Sequence, residues 1–308
     1  MSNQPEPFSL SSQTRLGHVH LTVANLERQI AFYTQVLGFK LHWQAEAEAA
    51  LGTEAEVLLR LSEDGAARRY QQNAGMYHFA ILYPSRKALA RAIARLFALR
   101  YPNSPTDHGI SLTTYLDDLE GNNIELYIRT LGRATFAIEN GQPVVYYADG
   151  TVGNGRDPLD LEALFAELTP GEGLDGVLPA GTRLGHMHLY VGSIAETMHF
   201  YRDLLGFAEG PIIPGFRMGE VGLDETQPHV IAFNTWKGEG LPPAPPQALG
   251  LRYFTVVAPD AAEWARLQGR VAALGLPVET DEAGITVRDP AGIRVRLTER
   301  MLGLAPAG

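Results

Sequence analysis

The sequence predicts an α+β protein of duplicated domains, each made of two βαβββ units whose strands form a curled mixed sheet around a cavity. Three observations predict it. Residues 16–39, LGHVHLTVANLERQIAFYTQVLGF, align without gaps with residues 184–207, LGHMHLYVGSIAETMHFYRDLLGF, and 11 of the 24 positions are identical, the mark of an internal repeat. Each copy passes from two-residue alternation to helical spacing, so each begins as strand then helix. A weaker version of the same unit then follows inside each half.

In the first copy Val19, Leu21 and Val23 alternate as in a strand, and Leu26, Ile30 and Leu37 recur at helical spacing. Asn25 and Ser193 are the expected N-caps, Ser193 with Glu196 three positions on as a capping box, and Gly38 and Gly206 stand where a helix must stop in a left-handed turn. The second unit reads as a strand at 75–83, GMYHFAILY, a helix from 86 to about 99, and strands near 110–116 and 123–128. GLRYFTVVAP, a helix at roughly 260–274 and GITVRDPAGIRVRLTE keep that order in the second half, with Tyr253 standing against His78 and Arg296 against Glu125. The expected organisation is an N-terminal arm (1–13), a metal-binding domain (14–132), a linker with one short helix at 159–168 (133–180), a degenerate second domain (181–302) and a tail (303–308).

Composition narrows the function. A net charge of -10 disfavours nucleic acid and anionic membrane, which demand a concentrated basic face. With no cysteine, thiolate metal sites, iron-sulfur clusters and cysteine nucleophiles are excluded together, and a metal must rest on His, carboxylate or water. Neither a signal peptide nor an apolar run of bilayer length is present, so the expected location is the cytoplasm. A homodimer is compatible with this sequence but is not demanded by it.

Strand alternation sets the chemistry on one face. His18, His20 and Thr22 share a side opposite Val19, Leu21 and Val23, His78 goes with Met76 and Ala80, and Glu125 with Asn123 and Tyr127. If the sheet curls, His18, His78 and Glu125 converge, and two imidazoles with one carboxylate form the facial set that suits ferrous iron or another divalent ion. A strand histidine standing alone is ordinarily a hydrogen-bonded structural residue, and three coincident polar groups are not. The second half serves as an internal control: it keeps His186 but has Tyr253 and Arg296 at the other two positions. A cation is not held beside Arg296, so His186 and His188 are expected to be packed or hydrogen-bonded, with the second half structural or one wall of the substrate cavity.

These residues resemble the vicinal oxygen chelate superfamily, which includes glyoxalases, extradiol ring-cleaving dioxygenases and fosfomycin- and bleomycin-resistance proteins. Residues 106–125, TDHGISLTTYLDDLEGNNIE, look like the extradiol dioxygenase signature, with departures at Thr114 and Leu119. The chain is most similar to two-domain catechol 2,3-dioxygenase-like proteins. That resemblance implies His18, His78 and Glu125 as ligands of Fe(II), with Mn(II), Ni(II) or Zn(II) as other occupants, and Tyr115 and His108 near the substrate oxygens. It also implies a further acid-base histidine upstream of the second ligand, and residues 62–77 contain none; His20 and His229 are the substitutes.

The expected activity is Fe(II)-dependent extradiol cleavage of a catecholic or hydroquinone-like ring, with O2 and a small aromatic molecule as partners. A glyoxalase-like lyase or isomerase is the alternative, and needs a fourth protein ligand where the resemblance puts Arg60; Glu54, Glu56 and Glu63 lie close by. A metal-free small-molecule-binding resistance protein is a third reading, which the complete triad argues against.

Overall fold

The computed structural model describes residues 8–305; the first seven positions of the expected arm and the last three of the tail lie outside it. Four βαβββ units follow one another along the chain. The first comprises β1 (Arg15–Val23), α1 (Leu26–Gln35), β2 (Lys40–Gln44), β3 (Glu48–Gly52) and β4 (Val57–Glu63). The second comprises β5 (Gly75–Leu82), α2 (Arg86–Ala98), β6 (Ser104–Asp107), β7 (Ser111–Asp117) and β8 (Asn123–Arg129). The connection holds β9 (Ala134–Glu139), β10 (Gln142–Tyr147), β11 (Val152–Gly153), β12 (Asp157–Pro158) and α3 (Leu161–Phe165). In the third unit are β13 (Arg183–Tyr190), α4 (Ile194–Met198), β14 (Ala208–Ile213), β15 (Met218–Gly222) and β16 (Ile231–Asn234). The fourth has β17 (Gly250–Val257), α5 (Ala261–Leu274), β18 (Glu279–Asp281), β19 (Gly284–Arg288) and β20 (Arg294–Thr298).

The helix boundaries follow local chemistry. The Asn25 side chain accepts from the Arg28 amide and Ser193 from the Glu196 amide, satisfying donors that a helix start leaves open. Gly38 and Gly206 take φ of 75° and 84° where the chain leaves the helix, a conformation that strains any side chain with a Cβ. After α4 the chain continues as a π-helical turn, His199–Leu204.

The α+β class and the βαβββ units agree with the sequence reading; the partnership between units does not. One sheet runs β18-β19-β20-β17-β1-β4-β3-β2 and joins the first unit to the fourth. The other runs β12-β6-β7-β8-β5-β13-β16-β15-β14 and joins the second unit to the third. The expected domains, 14–132 and 181–302, therefore do not each own a sheet: β1 pairs with β17 and β5 with β13, both across the halves. Within each half, a buried tyrosine ties the two units together. The Tyr33 hydroxyl donates to Asp118 at 2.9 Å, and its counterpart Tyr201 donates to Asp289 at 3.0 Å.

Val19, Leu21 and Val23, with Met187 and Leu189 of β13, are fully buried on the faces turned toward the helices, in one apolar core that also takes Tyr33, Ile93 and Tyr201. Each such side chain contributes about 1.5–3 kcal/mol relative to exposure. The opposite faces carry the histidines. The connection holds more than the expected helix: β9, β10 and β11 form a small sheet, and β12 extends the second large sheet by pairing with β6. Among the described residues no helix is long and apolar enough to cross a membrane.

Candidate metal centre

β5 lies between β8 and β13, and that placement assembles the site. β5 and β8 run parallel with Ala80 opposite Glu125, while β13 runs antiparallel to β5 with His188 opposite His78. His186, two residues before His188, reaches the same point. The Nε2 atoms of His78 and His186 are 3.1 Å apart, and Oε2 of Glu125 is 3.1 Å from the first and 3.0 Å from the second. All three residues are buried, and among the described residues they are the His, Asp and Glu group able to hold a metal ion.

The dimensions test which ion geometry fits. Donors about 2.1 Å from an ion at right angles to one another are separated by about 3.0 Å, whereas a tetrahedral arrangement separates them by about 3.4 Å. The observed separations of 3.0–3.1 Å are nearer the first figure. The donor set, two imidazoles and a carboxylate, is the one associated with ferrous iron.

His18 does not belong to this triangle. It stands on β1 in the other sheet, where its Nε2 lies 3.4 Å from the Tyr253 hydroxyl. His186, expected to be structural, takes its place because β13 rather than β1 hydrogen-bonds to β5. His20 also falls outside the centre: its Nε2 is 2.7 Å from Ser62 Oγ and its ring packs edge-on against Tyr253. The sequence does carry a signal for His186. It occupies the same repeat position as His18, in a half with no other ligand, and an exchange of strands between halves would complete a site.

Tyr115 and His108 do come together. Tyr115 sits directly across from Glu125 on β7, its ring 5.5 Å from that of His78, and its hydroxyl is 2.9 Å from His108 Nε2. His108 Nδ1 faces the Gly155 carbonyl, so donation there leaves Nε2 to accept from Tyr115. On the opposite side His229 packs against His186 with ring centroids 4.3 Å apart, and its Nδ1 is 2.5 Å from Glu220. His188 is held by the Asn234 amide at 2.8 Å. Beyond it Tyr77, Trp236 and Tyr190 form an aromatic wall, Tyr77 within 5.2 Å of both other rings, and the Lys237 ammonium sits 4.2 Å over Tyr190. Sequence reasoning missed this wall, because its members come from three separate strands and loops.

Electrostatics suit a cation. Burial pushes the Glu125 carboxyl upward, but His186 and His78 outweigh it and hold the group well below the usual carboxylate range. Burial, reinforced by His229, pushes His186 down to about 3, which keeps its imidazole neutral and able to ligate. Burial also depresses His229, yet the Glu220 carboxylate overcomes it and raises that histidine above its ordinary value. Burial and the Glu125 charge raise the Tyr115 phenol well above its normal range, leaving it a neutral donor.

Large mixed sheets of paired βαβββ units that bring two histidines and a glutamate to one buried point define a protein class with a place for a metal ion. The family model of the Glyoxalase/Bleomycin resistance protein/Dioxygenase superfamily matches residues 15–126 and 183–297, and the chain belongs to that superfamily. It is 34% identical over 288 residues to the catechol-2,3-dioxygenase of Bacillus subtilis (strain 168), covering 92% of this chain and 96% of that one. It is also 26% identical over 164 residues to biphenyl-2,3-diol 1,2-dioxygenase 3 of Rhodococcus globerulus, covering 51% of this chain and 84% of the relative. Glyoxalase I from Zea mays shares the fold, with a TM-score of 0.55 at 16% identity over 93% of this chain and 92% of its own.

Proposed function

We propose that the chain is an extradiol ring-cleaving dioxygenase that opens a catecholic or hydroquinone-like ring with O2 at a ferrous ion held by His78, Glu125 and His186. The observation that carries this reading is the 3.0–3.1 Å triangle of those three donors, flanked by His229 on one side and Tyr115 on the other. Likeness to two dioxygenases, one over nearly the whole chain, supports the same class. When bound, ferrous iron supplies a Lewis acid for the substrate oxygens and an electron path between the ring and dioxygen.

The chain's own residues do the rest. His229, backed by Glu220, is placed to take a proton from a substrate hydroxyl and return it as the ring opens. Tyr115, whose single hydroxyl proton points to His108, is placed to turn that proton onto a substrate oxyanion and steady it. Tyr77, Trp236 and Tyr190 offer faces and edges against which an aromatic substrate packs and from which water is excluded.

The glyoxalase-like reading needs a fourth ligand. Arg60 lies in the other sheet, paired with Glu48, and the residue at its repeat position beside this site is Ala232, which has no donor. Oxygen uptake by anaerobically prepared, Fe(II)-loaded protein, given a panel of catechols and hydroquinones, tests the proposal. Stoichiometric uptake with a ring-opened chromophore, lost in Glu125→Ala, is expected. Tight metal binding without uptake on any member of the panel would move the reading to the lyase or isomerase class.

A further inference from the structure

The two large sheets repeat one another position by position. His188 faces His78 across β13 and β5, and His20 faces Tyr253 across β1 and β17. Ala80 faces Glu125, and Thr255 faces Arg296. The hydrogen bond from Asn234 to His188 is matched by that between Ser62 and His20. Thus His18, Tyr253 and Arg296 occupy the places of His186, His78 and Glu125. The substitutions invert the charge: where one sheet has the Glu125 carboxylate, the other has the Arg296 guanidinium. Arg60 adds a second cation at the position of Ala232.

These groups form a cluster. The Arg296 guanidinium lies 5.5 Å from the Tyr253 ring, and the Tyr253 hydroxyl 3.4 Å from His18 Nε2. Both arginines lower the proton affinity of His18 and His20. Arg60 is joined to Glu48 at 2.6 Å and Arg296 to the exposed Asp281, so the partners of both lie toward the rim. Three buried polar atoms on this face have no partner: Nε of Arg60, Nε1 of Trp43 and Nδ1 of His20. Trp43 shares the face because it and Arg60 both stand opposite Ala50. The first two atoms are N–H donors. His20 Nδ1 is an acceptor, since the Ser62 hydroxyl donates to Glu48 and Nε2 of His20 must therefore donate to Ser62. Leaving three such groups buried and unpaired costs stability unless something satisfies them.

We propose that this second face is a metal-independent binding site for a small hydroxylated aromatic carboxylate. The guanidinium groups and the Trp43 N–H receive the carboxylate, the Tyr253 and Trp43 rings flank the aromatic body, and His20 Nδ1 accepts from the hydroxyl. The site does not depend on the ring-cleavage reading, because none of its residues belongs to the metal centre.

Titration calorimetry of the metal-loaded protein with 4-hydroxybenzoate, benzoate and 4-hydroxybenzyl alcohol tests it. The expected order of affinity is 4-hydroxybenzoate, then benzoate, then the neutral alcohol, with one 4-hydroxybenzoate bound per chain. Glu125→Ala should leave that affinity unchanged, and Arg296→Gln should weaken it at least tenfold. Should Arg296→Gln fail to fold by circular dichroism, Arg60→Gln is read in the same way. Absence of binding at millimolar 4-hydroxybenzoate, loss of binding in Glu125→Ala, or undiminished binding in the folded arginine variant overturns the proposal.

Discussion

Nε2 of His186 lies 3.0 Å from Oε2 of Glu125, although the two residues come from opposite halves of the chain. The contact exists because β13 and β8 flank β5 on its two edges. His186→Ala should therefore reduce bound metal from about one ion per chain to near none, with the fold kept by the remaining core. His18→Ala and Tyr253→Ala should each leave metal content unchanged. Elemental analysis of the three purified variants checks this, and metal loss in His18→Ala would contradict the assignment.

His229 touches His186 but is not part of the ligand triangle. His229→Gln is expected to retain metal while kcat on the best catechol falls about 10²–10⁴-fold, the usual worth of a positioned acid-base group. Metal content and turnover measured on the same preparation separate that outcome from simple loss of the ion.

The Tyr115 hydroxyl donates to His108, and Tyr115 stands opposite Glu125. With substrate bound that one proton turns from His108 to the substrate oxyanion, so Tyr115→Phe removes one hydrogen bond to a developing negative charge, a loss of about 1.5–3 kcal/mol, or roughly 10- to 150-fold in kcat/KM. His108→Ala should lower kcat/KM by less, because it removes only the anchor. Steady-state kinetics on both variants decide the order.

The histidines of the other sheet set a pH dependence of stability. Burial first, then Arg60 and Arg296, push His18 down to about 3, and burial with the same arginines holds His20 well below its ordinary value. The unfolded chain, with histidines near 6.5, binds more protons than the folded one below that pH. Stability is thus fully present above pH 6.5 and falls as pH drops toward 3, by about 1.4 kcal/mol per unit for each histidine. In metal-free protein, His18→Gln should lose about 2 kcal/mol less than the parent between pH 7 and pH 5. Urea denaturation at the two pH values measures the difference.

Much of this arrangement was legible in the residues themselves. Alternation put His78 and Glu125 on one face of their strands, and the helix caps at Asn25 and Ser193 fixed where helices begin. Both depend on spacing within a few residues, which strand and helix periodicity decide locally. Tyr115 and His108 came instead from the resemblance of residues 106–125 to the extradiol signature. The wall of Tyr77, Trp236 and Tyr190 had no such signature, since its rings meet only after β5 and β13 pair.

The sequence by itself determined the four βαβββ units, their duplication and the strand faces that carry His78 and Glu125, two of the three residues that meet in the triangle. Only the tertiary structure decided which unit pairs with which, and hence that His186 rather than His18 completes the triangle. The physical reason lies in the repeat: β1 and β13 are close copies, LGHVHL against LGHMHL, so either offers β5 the same hydrogen-bonding edge and the same histidine. A choice between two equivalent edges leaves no trace in local periodicity. It is settled by long-range packing, which seats β13 against β5 and gives β1 to β17.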